Sequence, residues 1–298
     1  MHKDSNNLTV SQVISKVTKR FEEAGLYFGH GTDNAQDEAY SLVYYALKIP
    51  HDADEKILSR VLNNSELASV KQLTNLRIEK RIPLPYLTNE AYFAGMAFYV
   101  DERALIPRSP FAELIERQFR PWITYNEVSN LLDLCTGSGC MAIAAAKMFP
   151  EAKVDAVDLS EKALAIAKIN LERYGMKKQV NLIQSDLFCK LKGKKYDVIM
   201  SNPPYVSEEE MKSLPKEYKH EPSFALASED NGLQIVIKIL QLANSYLTEK
   251  GILLVEVGNS KTALEKRFPE APFLWLDFTF GGDGVFLLTA EQLKRGLS

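Results

Sequence analysis

Apolar side chains recur at helical spacing through roughly the first 80 residues of the chain. The first stripe comprises Val10, Val13, Ile14, Val17 and Phe21. Thr9 or Ser11 can cap the start of this helix, and Gly25 can end it. A second stripe, which ends before Pro50, comprises Ala39, Leu42, Val43 and Ala46. These patterns predict a small helical domain at the start of the chain.

A third helix is predicted over residues 65–81, with its inward face formed by Leu67, Val70, Leu73 and Leu76. Ile82–Pro85 ends the helical pattern, because each proline favours extended backbone in the residue before it. Ala91–Val100 is typical of two short strands around Gly95, which predicts a hairpin. Asp101–Arg108 then serves as a linker to the rest of the chain.

Strands and helices alternate from residue 109 onward. The predicted strands are 131–134, 154–157, 180–184, 198–201, 252–257 and, at or near it, 273–278. This alternation predicts an α/β fold with a doubly wound, mainly parallel, Rossmann-like sheet. The predicted organisation is therefore a helical domain over 1–85, a β-hairpin linker over 86–108 and an α/β domain over 109–298. Ligands of such sheets bind beyond the carboxyl ends of the strands.

The first predicted strand of the sheet ends in a glycine-containing turn, Asp133–Gly139, and a helical segment follows at once. Gly137 and Gly139 allow the backbone to turn tightly and to approach a ligand closely. A single G-x-G is weak evidence, because many strand-to-helix turns contain glycine. The next two strands strengthen it, since they end in Asp158 and Asp186.

Three aspartates at successive strand ends favour a nucleoside ligand. Asp158 can accept hydrogen bonds from the two hydroxyls of a ribose, and Asp186 can accept one from an adenine amino group. Leu187 or Phe188 can cover the adenine ring. Each aspartate alone is also compatible with a helix cap. A nicotinamide dinucleotide remains an alternative at this point, although Cys135 occupies a position where glycine is common.

The most specific motif is Asn202–Tyr205, N-P-P-Y, at the end of the fourth strand of the sheet. It resembles the motif of methyltransferases that modify nitrogens conjugated to a π system. The Asn202 side-chain oxygen and the Pro203 carbonyl can accept the two N–H groups of an amide, which orients the nitrogen lone pair. Tyr205 can pack on the planar group. A proline-rich loop without function is the less favoured interpretation.

The overall charge argues against nucleic acid as the direct substrate. The formal net charge is −3, so the chain as a whole has no electrostatic attraction to phosphates. The few cysteines and histidines lie far apart and show no metal-ligand spacing. Neither a signal peptide nor an apolar run of membrane-spanning length is evident. We therefore expect a cytoplasmic enzyme without a metal ion and without a membrane partner.

The chain resembles the HemK/Prm family of glutamine methyltransferases over almost its full length. The resemblance rests on the helical N-terminal region, the hairpin, the D-E-R-x-L-I-P-R segment Asp101–Arg108 and N-P-P-Y. It implies a class I methyltransferase fold, a helical substrate-recognition domain and transfer of a methyl group from S-adenosylmethionine to a glutamine side-chain nitrogen, N5. The product of the methyl donor would be S-adenosylhomocysteine.

The family motif also implies roles for particular residues. The donor would be held by Asp133, Cys135, Thr136, Gly137, Gly139, Asp158, Leu159, Asp186, Leu187 and Asn202. The substrate carboxamide would contact Asn202, Pro203, Pro204 and Tyr205, of which Asn202, Pro203 and Tyr205 would be catalytic. Leu187 departs from some relatives, which have an aromatic residue at this position.

Details around the motifs favour the branch of the family that modifies the third protein of the large ribosomal subunit. They include Ser109-Pro110 and the segment Leu214–Pro222. The partner would then be this protein, free or within an assembling ribosomal particle. Methylation of release factors is the main alternative, and methylation of an adenine or guanine amino group is a weaker one. An acidic set after N-P-P-Y, expected to attract a basic substrate, comprises Glu208, Glu209, Glu210, Glu217 and Glu221.

Overall fold

A computed structural model describes residues 8–279 and 281–296. The chain divides into two compact units. The first comprises the described residues up to Glu90 together with the short segment Pro215–His220, and the second comprises Ala91–Leu214 and the described residues from Glu221 onward. The chain therefore enters the first unit twice. No helix in the described part of the chain is both long and apolar enough to cross a membrane.

The first unit is helical. Its helices are α1 Val10–Glu23, α2 Ala35–Ala46, α3 Asn64–Lys80 and α4 Leu84–Thr88. Thr9 caps α1 through its side chain, and Gln12 returns the bond to the Thr9 backbone. The apolar stripes of α1 and α2 face one another in a common core that includes Phe21 and Leu42. The three long helices predicted from the sequence are thus confirmed, while α4 was not predicted.

The buried face of α3 differs from the prediction. The buried side chains on this helix are Val70, Thr74 and Arg77. Of the predicted inward leucines, Leu67 and Leu73 are half-buried and pack against the core of the unit, and Leu76 is half-buried as well. The addition to the predicted face is Arg77, which is buried where two carboxylates bind it. The periodicity of leucines alone could not reveal this, since an arginine is rarely buried without such partners.

The predicted hairpin is present, at the start of the second unit. Strands β1 Ala91–Phe93 and β2 Met96–Phe98 are antiparallel, and Phe93 pairs with Met96. The two turn residues, Ala94 and Gly95, have φ angles of 47° and 66°. Left-handed backbone at both turn positions matches the right-handed twist of the strands.

The second unit contains a seven-stranded sheet with helices on both faces. Along the chain, its further elements are α5 Phe111–Glu116, β3 Asn130–Leu134, α6 Cys140–Met148, β4 Lys153–Asp158, α7 Glu161–Arg173, β5 Val180–Gln184, β6 Tyr196–Ser201, α8 Glu208–Ser213, α9 Gln234–Ala243, β7 Leu247–Glu256, α10 Lys261–Arg267, β8 Leu274–Trp275, β9 Val285–Thr289 and α11 Ala290–Lys294. The strand order is β5-β4-β3-β6-β7-β9-β8. The predicted Rossmann-like α/β fold is confirmed.

One edge of the sheet differs from the sequence prediction. The predicted strand 273–278 is reduced to β8, and the longer strand next to it is β9, which was not predicted. β9 runs antiparallel to β7, with Val285 opposite Glu256. Its alternate residues face two apolar cores, so that Leu287 belongs to one and Leu288 to the other. A strand buried on both faces loses the alternating polar pattern by which strands are recognised.

Candidate active site

Four parallel strands end side by side at one edge of the sheet. β3 lies between β4 and β6, with Leu134 opposite Val157 on one side and Ser201 on the other. The Ser201 hydroxyl donates a hydrogen bond to the Leu134 carbonyl at 3.0 Å. The glycine turn after β3 and the N-P-P-Y segment after β6 therefore start from two strand ends that are directly joined.

The turn after β3 has left-handed backbone at three positions. The φ angles of Cys135, Gly137 and Gly139 are 60°, 55° and 79°. Gly139 must also be small, because a Cβ atom there would lie 3.0 Å from the Cβ of Ala167 on α7. Cys135 has a backbone conformation that glycine adopts freely but that is disfavoured for a residue with a side chain.

Asp133 stabilises this turn through hydrogen bonds. Its Oδ2 atom accepts hydrogen bonds from the Thr136 hydroxyl at 2.5 Å and from the Ala142 amide at 3.1 Å. Within the described part of the chain, no hydrogen-bond partner reaches its other oxygen, Oδ1, which is also buried. Burial raises the pKa of Asp133 to about 7. The turn therefore surrounds a buried carboxyl group, and one of its two oxygens accepts no hydrogen bond from the described residues.

A cavity of about 430 Å³ opens at this edge of the sheet. The predicted site residues that line it are Cys135, Gly137, Asp158, Leu159, Asp186, Leu187, Asn202 and Pro204. Five other predicted residues are not among its lining: Asp133, Thr136, Gly139, Pro203 and Tyr205. The glycine turn, the strand-end aspartates and N-P-P-Y therefore each contribute residues to one cavity.

Asp158, at the end of β4, is oriented by backbone amides. Its Oδ2 accepts from the Gly137 amide and its Oδ1 from the Ser160 amide, both at 2.8 Å. Burial is the largest influence on this carboxyl group and raises its pKa. Each oxygen keeps a further lone pair, so the carboxylate can still accept from two hydroxyls.

The first residue of N-P-P-Y is accessible from the cavity, and the last is hydrogen-bonded to another strand of the sheet. Asn202 is half-buried and lines the cavity, and Pro203 is buried. The Tyr205 hydroxyl donates to Glu256 Oε1 at 2.8 Å. Glu256 is the last residue of β7, next to β6 in the sheet. Glu256 was not singled out in the sequence, because its contact with Tyr205 spans 51 residues.

Several other residues also line the cavity, and the sequence motifs assign them no role in holding the methyl donor. They are Arg103, Ala104, Leu105, Val157, Ala163, Ser185, Glu208, Phe224, Ala225, Ala227, Ser228, Glu229, Gln234 and Ile235. Arg103 belongs to the D-E-R segment, where it forms a bidentate pair with Asp101 at 2.6 and 2.8 Å. Phe224 is an aromatic residue that remains 53% exposed. Some of these residues belong to β4, α7, α8 and α9, and the others lie in loops or short turns, where neither periodicity nor motif spacing marks them.

Two expectations from the sequence require correction. Phe188 does not cover the cavity: it is buried and stacks on Tyr246 with ring centroids 4.5 Å apart. The acidic set after N-P-P-Y does not act as one surface. Glu217 is buried beside Arg77, and Glu221 is buried in a bidentate pair with Arg108. Their partners lie more than a hundred residues away in the chain, so the neighbouring sequence does not reveal these pairs.

Glu210 also has structural partners. Its Oε2 atom accepts from the Ser207 amide in a capping box, and its Oε1 accepts from Asn259 at 3.0 Å. Of the acidic set, only Glu208 and Glu209 are exposed. The hypothesis of an extended acidic surface for a basic partner is therefore reduced to the first turn of α8.

The cavity fits a cationic adenosine derivative such as S-adenosylmethionine. The space above Gly137 is open, since no atom lies within 4 Å of the position a Cβ would take. Asp158 and Asp186 line it with carboxylates, which can accept hydrogen bonds from hydroxyl and amino groups, and Leu159 and Leu187 are apolar parts of its lining. No group of three or more potential ligand side chains in the described ranges could hold a metal ion.

The fold and this cavity define the class of protein as a methyltransferase. Residues 120–217 match the model of the methyltransferase small domain. The hMettl16 catalytic domain, bound in its structure to the MAT2A 3′UTR hairpin 6, has the same fold. Its TM-score is 0.52 at 16% identity, and the match covers 83% of this chain and 91% of that one.

The full chain identifies the family within this class. It is 49% identical to the ribosomal protein uL3 glutamine methyltransferase of Neisseria gonorrhoeae, over 96% of this chain and 95% of the relative. It is 50% identical to the enzyme of the same name from Neisseria meningitidis serogroup A, over 96% of this chain and 94% of the relative. The chain belongs to this family of S-adenosylmethionine-dependent glutamine methyltransferases, as its motifs had indicated.

Proposed function

We propose that this protein transfers a methyl group from S-adenosylmethionine to the side-chain nitrogen N5 of a glutamine in ribosomal protein uL3. The observation that carries the proposal is the identity of 49–50% with uL3 glutamine methyltransferases over 96% of the chain. The cavity supports it, since Asn202 and the carboxylates Asp158 and Asp186 line the same space.

Asn202 and Pro203 would hold the glutamine carboxamide. The Asn202 side-chain oxygen accepts one N–H of the amide, and the Pro203 carbonyl accepts the other. An amide nitrogen is a weak nucleophile, because its lone pair is delocalised into the carbonyl. Two acceptors in fixed positions turn the nitrogen toward the methyl donor and stabilise the positive charge that develops on it.

The remaining steps need little from the protein. The methyl donor, when bound, supplies an electrophilic methyl group on a sulfonium. Asp158 and Asp186 would hold its ribose and adenine, and Asn202 would lie between the methyl donor and the glutamine side chain. No strong base is required, because the methylated amide nitrogen becomes acidic enough to lose its proton. Tyr205 would lie flat against the carboxamide and limit its rotation.

The first unit would recognise the substrate protein. Its helices form a core of their own, and its second segment, Pro215–His220, begins ten residues after Tyr205 in the chain. We infer that this helical domain, over about residues 1–85, contacts uL3 outside the glutamine itself. Because ribosomal proteins are made and assembled in the cytoplasm, the reaction would take place there.

The test is methyl transfer with three acceptors in parallel. The purified protein is incubated with methyl-labelled S-adenosylmethionine and uL3 from ribosomes that lack the modification, with unmethylated release factor, or with unmodified ribosomal RNA. Label on uL3, mapped by mass spectrometry to a glutamine side chain, is the expected result. Label on release factor alone would show that uL3 is not the substrate, and label on RNA alone would show that the acceptor is not a protein.

Asn202→Ala tests the acceptor role of this side chain. We expect kcat to fall by about two orders of magnitude, as when one preorganised hydrogen bond to the reacting group is removed. Binding of S-adenosylmethionine, measured by calorimetry, should change little. Asn181→Ala is the matched control, since this asparagine contacts Asp155 at the opposite ends of the strands. An Asn202→Ala enzyme with unchanged kcat would exclude the role.

A further inference from the structure

Tyr205 of N-P-P-Y is held at its hydroxyl by a buried carboxylate. The hydroxyl donates to Glu256 Oε1 at 2.8 Å, and the other oxygen of Glu256 accepts from the Ser109 hydroxyl at 2.5 Å. Ser109 and Glu256 are 8% and 5% exposed. The Phe111 amide donates to the Ser109 oxygen at 3.2 Å, so the hydroxyl proton of Ser109 is directed to the carboxylate.

The ring and the backbone of Tyr205 are held as well. A Cβ atom at Gly258 would lie 2.6 Å from Cε2 of the ring, so the ring packs directly on the Gly258 backbone. The Ser260 hydroxyl donates to the Tyr205 carbonyl at 2.9 Å. At Gly232, a Cβ atom would lie 2.0 Å from that same carbonyl oxygen. Contacts therefore fix the hydroxyl, one face of the ring and the carbonyl.

Such an arrangement is costly for the fold. A carboxylate removed from water loses its hydration, and burial raises the pKa of Glu256. The nearby charge of Arg108 and the two hydroxyls offset part of this cost. An apolar residue at 256 would fill the core at lower cost, but it could not orient a tyrosine hydroxyl. The arrangement is thus explained by what it does to Tyr205.

We propose that Ser109, Glu256 and Gly258 are positioning residues that hold the Tyr205 ring in the orientation in which it packs on the glutamine carboxamide. The proposal rests on the proposed function. It concerns kcat rather than donor binding, because none of the three residues is among those that line the donor cavity. Ser109 would act only through Glu256 and the Tyr205 hydroxyl.

The decisive experiment is a double-mutant cycle in the full-length protein. Ser109→Ala and Tyr205→Phe should each lower kcat for uL3 methylation about three- to tenfold, with the KM for S-adenosylmethionine unchanged. In the Tyr205→Phe background, Ser109→Ala should have no further effect on kcat, because the hydroxyl that it orients is absent. Ser109→Thr keeps the hydroxyl and should restore kcat. Tyr174→Phe, which removes a hydroxyl bound to the Ala97 carbonyl, is the matched control.

Two results would overturn the proposal. Independent, multiplicative losses of kcat in the double variant would show that Ser109 supports the fold only. Wild-type kcat in both single variants would show that the orientation of the hydroxyl is irrelevant. Gly258→Ala is a second test, since its methyl group must displace the Tyr205 ring, and we expect kcat to fall tenfold or more. Gly175→Ala is the control, because no atom lies within 4 Å of a Cβ at that position, and its kcat should change little.

A measurement without substrate separates this proposal from the proposed function. Tyrosine labelled with ¹³C at Cζ gives one resonance per ring, and Tyr205→Phe identifies that of Tyr205. We expect the Tyr205 resonance to shift in Ser109→Ala and to stay in place in Ser69→Ala. An unshifted resonance would overturn the positioning role whether or not uL3 is the acceptor. Failure to methylate uL3, with the shift observed, would overturn only the acceptor.

Discussion

At the scale of single residues, the site concentrates unfavourable features in the turn after β3. Asp133 is buried with one oxygen unpartnered among the described residues, and Cys135 has left-handed backbone. Each costs stability, since a buried carboxylate lacks water and a side chain at positive φ is crowded. Both costs fall beside the donor cavity. This is typical of sites that are built to be completed by a ligand.

Asp133 should make stability depend on pH in the protein without methyl donor. Its pKa is raised from 3.8 to about 7, so the folded state binds more protons than the unfolded state between these values. Stability from this group is therefore lost as the pH rises from about 4 to about 7. Between pH 5 and 7.5 we expect Asp133→Asn to gain about 2 kcal/mol relative to wild type.

Urea unfolding of both proteins at several pH values checks this. Contributions from other carboxyl groups cancel in the difference between the two curves. A difference that does not change between pH 5 and 7.5 would mean that Asp133 is ionised throughout.

At the scale of elements, the packing of α6 against α7 depends on a single small residue. Gly139, before α6, lies against Ala167 of α7, and it has a φ of 79°. Gly139→Ala should destabilise the fold by about 1–3 kcal/mol more than Gly193→Ala. Gly193 is the control, because it has a φ of 82° but no atom within 4 Å of a Cβ.

Chemical denaturation measures both variants, and subtraction removes the cost of positive φ that they share. Equal losses in the two variants would show that the helices adjust to the methyl group. Donor affinity should fall in Gly139→Ala alone, since only this glycine belongs to the cofactor turn.

The elements that the sequence predicted well are those whose signal is local. α1 follows from its stripe and its cap, and the hairpin from its turn. β9 and the burial of Arg77 on α3 were missed, because they depend on contacts made elsewhere in the chain. The same division holds for the site. N-P-P-Y and the strand-end aspartates form local motifs, whereas Ser109 and Glu256 are 147 residues apart.

At the scale of the whole molecule, a buried ion-pair network holds Pro215–His220 in the helical unit. Arg77 donates to Glu38 at 2.6 Å, to Glu217 at 3.2 Å and to the Tyr27 carbonyl at 2.8 Å. The three charged side chains of the network are at most 3% exposed. A charged residue of the loop after N-P-P-Y thus became part of the helical core, which its acidic sequence did not suggest.

Arg77→Met should destabilise the helical unit by about 3–5 kcal/mol, because Glu38 and Glu217 stay buried without its guanidinium, although Glu217 keeps Arg81 at 3.5 Å. The measurement is the midpoint of urea-induced unfolding, followed by circular dichroism. Arg20→Met provides the control, since Arg20 is exposed and its guanidinium donates to the Asn75 side chain, which carries no charge. A loss below 1 kcal/mol would indicate that water or other groups compensate the carboxylates.

The second entry of the chain into the helical unit limits how this protein can be recombined. A single exchange point near residue 90 would transfer the helices without Pro215–His220, and Arg77 would meet a foreign residue in place of Glu217. Exchange of the helical unit between relatives therefore requires two separated stretches to be moved together, so that Arg77 and Glu217 stay matched.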